Sequence, residues 1–246
     1  MKKILAALAF AATVSWFSAG AQALVVDLFD RAYQIDGNFS GFLGTGALPG
    51  GVFTAVDESA FSTTTGLGTI TVTIGGAGAH TVDLFIDHEI DNGANTFFNE
   101  VGATTGAPAA GQSWEIDEPG FLFGDIDVNV QASTLDNMNG VPAATPDDVS
   151  MALGFDFVLA AGETATIDFL LATTAPAGGF YLTHSDPDSI AAGLGGPNQV
   201  FFSAALNISG APTQVPEPGS LALFAMGLIG LGFAVRRRRF AVRRRR

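Results

Sequence analysis

Between the two ends of the chain, short runs of alternating apolar and polar residues recur between clusters of Gly, Pro, Asn and Asp. Thr69-Ile70-Thr71-Val72-Thr73-Ile74 is the clearest, with every second residue apolar. Strict alternation sets one face of an extended strand against a core and the other toward water, so it predicts strands rather than helices. By this pattern strands fall at 24–29, 69–74, 81–86, 112–116, 121–130, 149–159, 164–171, 180–183 and 199–208. The stretch FDFVLAAGETATIDFLL predicts two strands joined as a hairpin through a turn at 160–163. Many strands at this spacing, without an alternating βαβ rhythm, predict a mainly β fold: an antiparallel β-sandwich of the jelly-roll or immunoglobulin-like kind over residues 24–208. Glycine-, alanine- and proline-rich stretches at 41–51, 102–111 and 193–197 read as surface loops, and 209–214 reads as a linker. One faint echo runs through the pattern. Val26-Asp27-Leu28-Phe29 followed by Ile35-Asp36-Gly37 is matched by Val82-Asp83-Leu84-Phe85 followed by Ile90-Asp91-Asn92-Gly93. Two related half-sandwiches would produce it, and so would two ordinary strands ending in acidic turns.

Two segments break the alternation. At the N-terminus Lys2 and Lys3 precede an apolar run over 4–17, and Ala21-Gln22-Ala23 follows. A charged start, a short apolar middle and an A-x-A ending predict a secretory signal peptide over 1–23, handled by the Sec export machinery and cut by signal peptidase after Ala23. At the C-terminus residues 221–235 are uninterruptedly apolar or glycine, and the uncharged stretch begins at Gly219. A helix over 219–235 is close to the lower limit of about 17 residues that spans a hydrocarbon core. Arg236, Arg237, Arg238 and Arg239 follow it, and arginine at mid-bilayer is costly, so these four predict a stop-transfer signal held on the cytoplasmic side.

Val215-Pro216-Glu217-Pro218-Gly219-Ser220, then a short Leu/Ala/Gly-rich helix, then an arginine cluster resembles the PEP-CTERM sorting signal. The resemblance covers only the tail, 215–246. It implies processing by an exosortase, a membrane transpeptidase of Gram-negative bacteria that make extracellular polysaccharide. Pro216, Glu217 and Pro218 would be the recognised residues, and helix and arginines would hold the precursor in the inner membrane until cleavage. The physics agrees: two prolines fix φ and exclude regular pairing, which leaves an extended, accessible peptide before the helix. The second FAVRRRR copy, 240–246, has a three-residue apolar core too short to span anything and reads as a tandem duplication.

Charge sharpens this picture. The formal net charge is −13, yet between Leu24 and Val215 one basic residue, Arg31, stands against 23 acidic ones, a local charge of −22. Such a surface repels nucleic acid and anionic headgroups and attracts cations. Nucleic acid is therefore excluded as a partner. Cysteine is absent, so an exported fold has no disulfides and rests on burial.

Asp125, Asp127, Asn129, Gln131, Ser133 and Asp136 follow an EF-hand-like count, but Val130 occupies the position that needs glycine, so no EF-hand is expected. Loop carboxylates are the better calcium candidates: Asp87, Glu89 and Asp91 with Asn92 in one turn, and Asp136, Asn137, Asn139, Asp147 and Asp148 in another. Hard oxygen donors on loops suit Ca²⁺, and solvated acidic loops would give the same pattern. Asp87, Glu89, Asp91, Asp136 and Asn139 are the candidate set. No G-x-S-x-G, H-E-x-x-H or Cys–His signature is present, and no catalytic residues are assigned. Asp117/Glu118 is the nearest to a glycosidase-like pair. Trp114 and Tyr181 are candidates for stacking on a sugar, and Thr69, Thr71 and Thr73 for one exposed strand face. The expected function is that of an exported, non-catalytic surface or matrix protein linked to exopolysaccharide or the envelope. The alternatives are a secreted polysaccharide hydrolase, or a calcium-dependent adhesin or carbohydrate-binding module.

Overall fold

The computed structural model describes residues 25–91, 96–120, 123–187 and 198–210. The expected signal peptide, the tail from residue 215 and most of the expected linker lie outside these residues. In chain order the strands are β1 (Val26–Ile35), β2 (Asn38–Phe39), β3 (Val56–Ser62), β4 (Leu67–Gly75), β5 (Gly78–Ile90), β6 (Val101–Thr105), β7 (Gln112–Asp117), β8 (Ser150–Leu159), β9 (Glu163–Ala172), β10 (Tyr181–Asp186) and β11 (Asn198–Gly210). One short helix, α1 (Ile126–Ala132), interrupts them. Ser209 and Gly210 thus belong to a strand where a linker was expected.

Two antiparallel sheets result, one in the order β2-β1-β5-β8-β7 and the other β3-β4-β9-β11-β10-β6. Alternation sends Ile70, Val72 and Ile74 of β4 and Ile167, Phe169 and Leu171 of β9 inward, where they join Leu84 and Ile86 of β5 and Met151, Leu153 and Phe155 of β8 in one core. Each such side chain contributes about 1.5–3 kcal/mol on burial. The intervening Thr69, Thr71 and Thr73 lie on the other face, where Thr71 Oγ1 donates to Asp168 Oδ1 at 2.6 Å.

The segment 155–171 is not a hairpin. β8 pairs with β5 and β7, whereas β9 pairs with β4 and β11, so the chain crosses from one sheet to the other between them. The β4–β5 connection makes the same crossing alongside, since Gly75 faces Thr164 and Gly78 faces Leu159. Alternation cannot distinguish a crossing from a hairpin, because both keep the same residues on the inner side.

The expected strand at 121–130 is also corrected. Its second half is α1, and Asp125 stands at the N-cap position. Ile126 and Val130, four apart, face inward, while Val128 is exposed. They form a second, smaller core with Ala32, Phe85, Leu135 and Ala152 on the outer face of the first sheet. This cover buries Phe85 on the outer face of β5, whose last nine residues are all buried.

The two echoing segments are β1 and β5, antiparallel neighbours with Val26 opposite Ile90 and Ile35 opposite Val82. Both ends of this ladder close alike. Asp36 Oδ1 accepts the Thr81 N–H at 2.9 Å, and Asp91 Oδ1 accepts the Val25 N–H at 3.0 Å. Asp36 and Asp91 both adopt positive φ, 48° and 53°, a conformation that Asp tolerates better than most residues.

Candidate functional site

The chemistry-bearing side chains gather at one end of the sandwich, where β5 ends and β8 and β6 begin. Asp87 and Glu89 are not in a turn; they are alternate residues near the end of β5 and share one face of it. Asp148 lies two residues before Ser150, which pairs with Asp87. Glu100 precedes β6 in an isolated bridge to Asp147, whose N–H donates to the Glu100 carbonyl at 3.1 Å. The four carboxyls thus come from both sheets, and each lies within electrostatic reach of the other three.

Burial dominates their chemistry. Asp87 and Glu100 are 1% and 0% exposed. Burial, with the neighbouring Asp148 charge next, pushes Asp87 well above the usual carboxylate range, Glu89 up to about 7 and Glu100 up to about 10. Burial also raises Asp148, to about 6. Each of the four has one buried oxygen without a hydrogen-bond partner: Asp87 Oδ1, Glu89 Oε2, Glu100 Oε1 and Asp148 Oδ1. The second Glu100 oxygen meets His184 Nε2 of β10 at 2.6 Å. Burial lowers His184 to about 4, so this contact is a hydrogen bond of an uncharged imidazole rather than an ion pair. His88, lowered to about 3 by burial, donates from Nε2 to the Gly66 carbonyl at 2.9 Å.

A second carboxylate group is of a different kind. Glu115 of β7, Asp125 and Asp136 bring one oxygen each to within 4.8 Å of one another. Asn129 Nδ2 donates to both Glu115 oxygens, at 3.0 and 3.2 Å, and the Asp136 N–H adds a third bond at 3.2 Å. Burial pushes Glu115 up to about 7, but Asp125 and Asp136 are exposed and water can satisfy them. Neither group was visible whole in the sequence: Glu100 stands alone in it, and Glu115 lies beside Asp117 and Glu118 rather than with Asp125 and Asp136, which the EF-hand-like count places together.

The five candidate calcium ligands are therefore divided. Asp87 and Glu89 join Glu100 and Asp148, and Asp136 joins Glu115. Asp91 is held by the Val25 N–H and by Asn198. Asn139 donates to the Gly102 carbonyl at 2.8 Å and accepts from the Val141 N–H at 3.0 Å. Elsewhere Asp117 Oδ2 accepts the Asp125 N–H at 3.0 Å. Trp114 is partly buried against the main core, its ring centroid 5.9 Å from that of Phe180. Tyr181 packs edge-on against Phe201.

Among the described residues no helix is long and apolar enough to cross a membrane, and the expected span 219–235 lies outside them. The tail is nonetheless decisive. Residues 214–239 match the PEP-CTERM protein-sorting motif. A PEP-CTERM tail implies an exported protein, transiently anchored in a membrane and processed by an exosortase. Comparisons of the chain with curated proteins and with solved structures give no match.

Proposed function

We propose that this PEP-CTERM protein is a non-catalytic, acidic component of the cell surface or extracellular matrix, associated with exopolysaccharide or the envelope of a Gram-negative bacterium. The observation that carries the reading is the sorting tail following a β-sandwich with a single basic residue. In this account the Sec machinery exports the precursor and signal peptidase removes residues 1–23, with Ala21 and Ala23 marking the cleavage site. A transmembrane helix over 219–235 then pauses the chain in the inner membrane, with Arg236, Arg237, Arg238 and Arg239 on the cytoplasmic side. Exosortase recognises Pro216, Glu217 and Pro218 and frees the ectodomain. The 240–246 copy adds little.

A structural role is supported by how the conspicuous acids are used. Asp117, the nearest to a hydrolase carboxylate, receives a backbone N–H at the start of α1, and Asp36 and Asp91 close strand ends. The test is substitution of Pro216, Glu217 and Pro218 by alanine. The variant should accumulate as membrane-bound precursor, and release at the normal rate would refute the sorting claim.

A further inference from the structure

We infer that His80 is a pH-sensitive clasp, closed as an imidazolium at low pH and released as pH rises, at the end of the sandwich from which the sorting tail departs. The ring stands between two acceptors. Nδ1 lies 2.8 Å from Asp36 Oδ2, and Nε2 lies 3.0 Å from the Gly76 carbonyl oxygen. A neutral imidazole carries a hydrogen on one nitrogen only, whereas the imidazolium donates from both. A carbonyl oxygen can only accept, and Asp36 is a carboxylate, 34% exposed at its side chain, that already takes the Thr81 N–H on Oδ1. Both bonds therefore form together only when the ring is charged.

The surroundings favour that charge. His80 stands opposite Phe157 across the β5–β8 ladder, and the two rings stack with centroids 5.6 Å apart. A cation at this range is attracted to an aromatic face. The hydrogen bond to Asp36 raises the ring above the ordinary imidazole value; burial opposes it, and the Gly76 bond and the Asp36 charge add to the rise. The β1–β2 turn presents Asp36 to the ring, the β4–β5 connection an uncharged carbonyl, and β8 an uncharged aromatic. No other charged group among the described residues bears on it.

The ring holds the place where the chain crosses between sheets. Gly75 ends β4 opposite Thr164 of the second sheet, and Gly78 begins β5 opposite Leu159 of the first. In this connection Gly76 sits at φ 104° and Gly78 at φ 141°, backbone that glycine adopts freely and that costs entropy to fix. Gly210, the last residue of β11, lies at the same end, opposite Glu163 at the start of β9. On losing its charge the ring keeps the hydrogen that faces the carboxylate, the stronger charge-assisted bond, and gives up Gly76. Strand pairing alone then holds the crossing. An exported protein meets the pH of its surroundings, so the release follows the outside medium.

The test is an NMR titration of the imidazole nitrogens in the full, untagged chain in detergent, from about pH 5 to 9. His88 and His184, lowered to about 3 and 4, stay neutral across this range, so a single ring titrates. Its midpoint should lie above 6.5, the ordinary imidazole value, with hydrogens on both ring nitrogens below the midpoint, and Asp36→Asn should lower it. A raised folded value contributes stability that is full below 6.5 and is lost as pH rises through the midpoint. His80→Gln, which keeps one donor but cannot be charged, should therefore melt below the parent at about pH 5.5, with the gap narrowing by about pH 9. Carboxyls common to both chains cancel in that difference. A midpoint at or below 6.5, or one unmoved by Asp36→Asn, would overturn the clasp, and so would a melting gap independent of pH. The titration of the parent decides even where a variant fails to fold.

Discussion

Replacing Arg31 by methionine should strip the fold of its only buried ion pair between a guanidinium and a carboxylate among the described residues. Arg31 is fully buried on β1 and Glu58 of β3 is 15% exposed at its side chain. Nε and Nη2 donate to the two Glu58 oxygens at 2.6 and 3.0 Å, the bidentate geometry that arginine's planar fork favours. Nη1 donates to the Gly44 carbonyl and Nη2 to the Gly46 carbonyl, the latter at 2.7 Å. The residue thus joins strands of opposite sheets and pins the loop at 44–46. Breaking a buried pair by removing one partner costs about 3–5 kcal/mol, because the other charge is left uncompensated. For a domain of this size each kcal/mol lowers the melting temperature by about 2–4 °C, so Arg31→Met should lower it by roughly 6–20 °C. Thermal and urea denaturation followed by circular dichroism measure this. The double variant Arg31→Met/Glu58→Gln removes the stranded charge yet keeps an acceptor for the Tyr33 hydroxyl, and should recover part of the loss. A single variant within about 1 kcal/mol of the parent would show that the pair contributes no more than an exposed one. A double variant less stable than the single would refute the reasoning.

Asp83 of β5 is nearly buried, and burial, with the charge of Asp156 adding, pushes its carboxyl up to about 7. Its folded form therefore holds a proton that the unfolded chain has already lost, so its contribution is full below about pH 4 and is lost as pH rises through 7. Asp83→Asn should gain stability over the parent as pH climbs from 5 to 8, and a difference independent of pH would contradict this. Gly68 of β4 lies at φ 122°, and a Cβ there would sit 2.1 Å from the Ala60 carbonyl oxygen, next to the irregularity in β3. Gly68→Ala should destabilise by more than about 2 kcal/mol, since that neighbour is backbone and cannot rotate away. Stability within the usual surface range of about 0.5 kcal/mol would show that the strands shift at little cost.

Alternation made most strands of the sandwich legible, because β4, β9 and β11 bury one face only. It misled where a segment is covered on both sides or where two periods coincide. Asp125 to Val130 alternates apolar and polar residues, yet Ile126 and Val130 also satisfy the four-residue spacing of a helix, and the outer face of the first sheet needed that cover. β3 and β6 escaped notice because VDESAFS and VGATT carry few apolar residues, as suits edge strands of their sheet. The buried acid group was illegible for another reason. Asp87 and Glu89 look like turn residues beside Asp91, and only pairing of distant strands brings Glu100 and Asp148 to them. The tail needed no fold to be read, since its order of motif, apolar run and arginines lies in one continuous segment.

Mass spectrometry of the protein recovered from outside the producing cells shows whether both terminal segments are removed during export. The mature chain should begin at Leu24 and end near Pro216-Glu217-Pro218, without the apolar run or either arginine cluster. Recovery of an intact C-terminus at Arg246 in that fraction would contradict it.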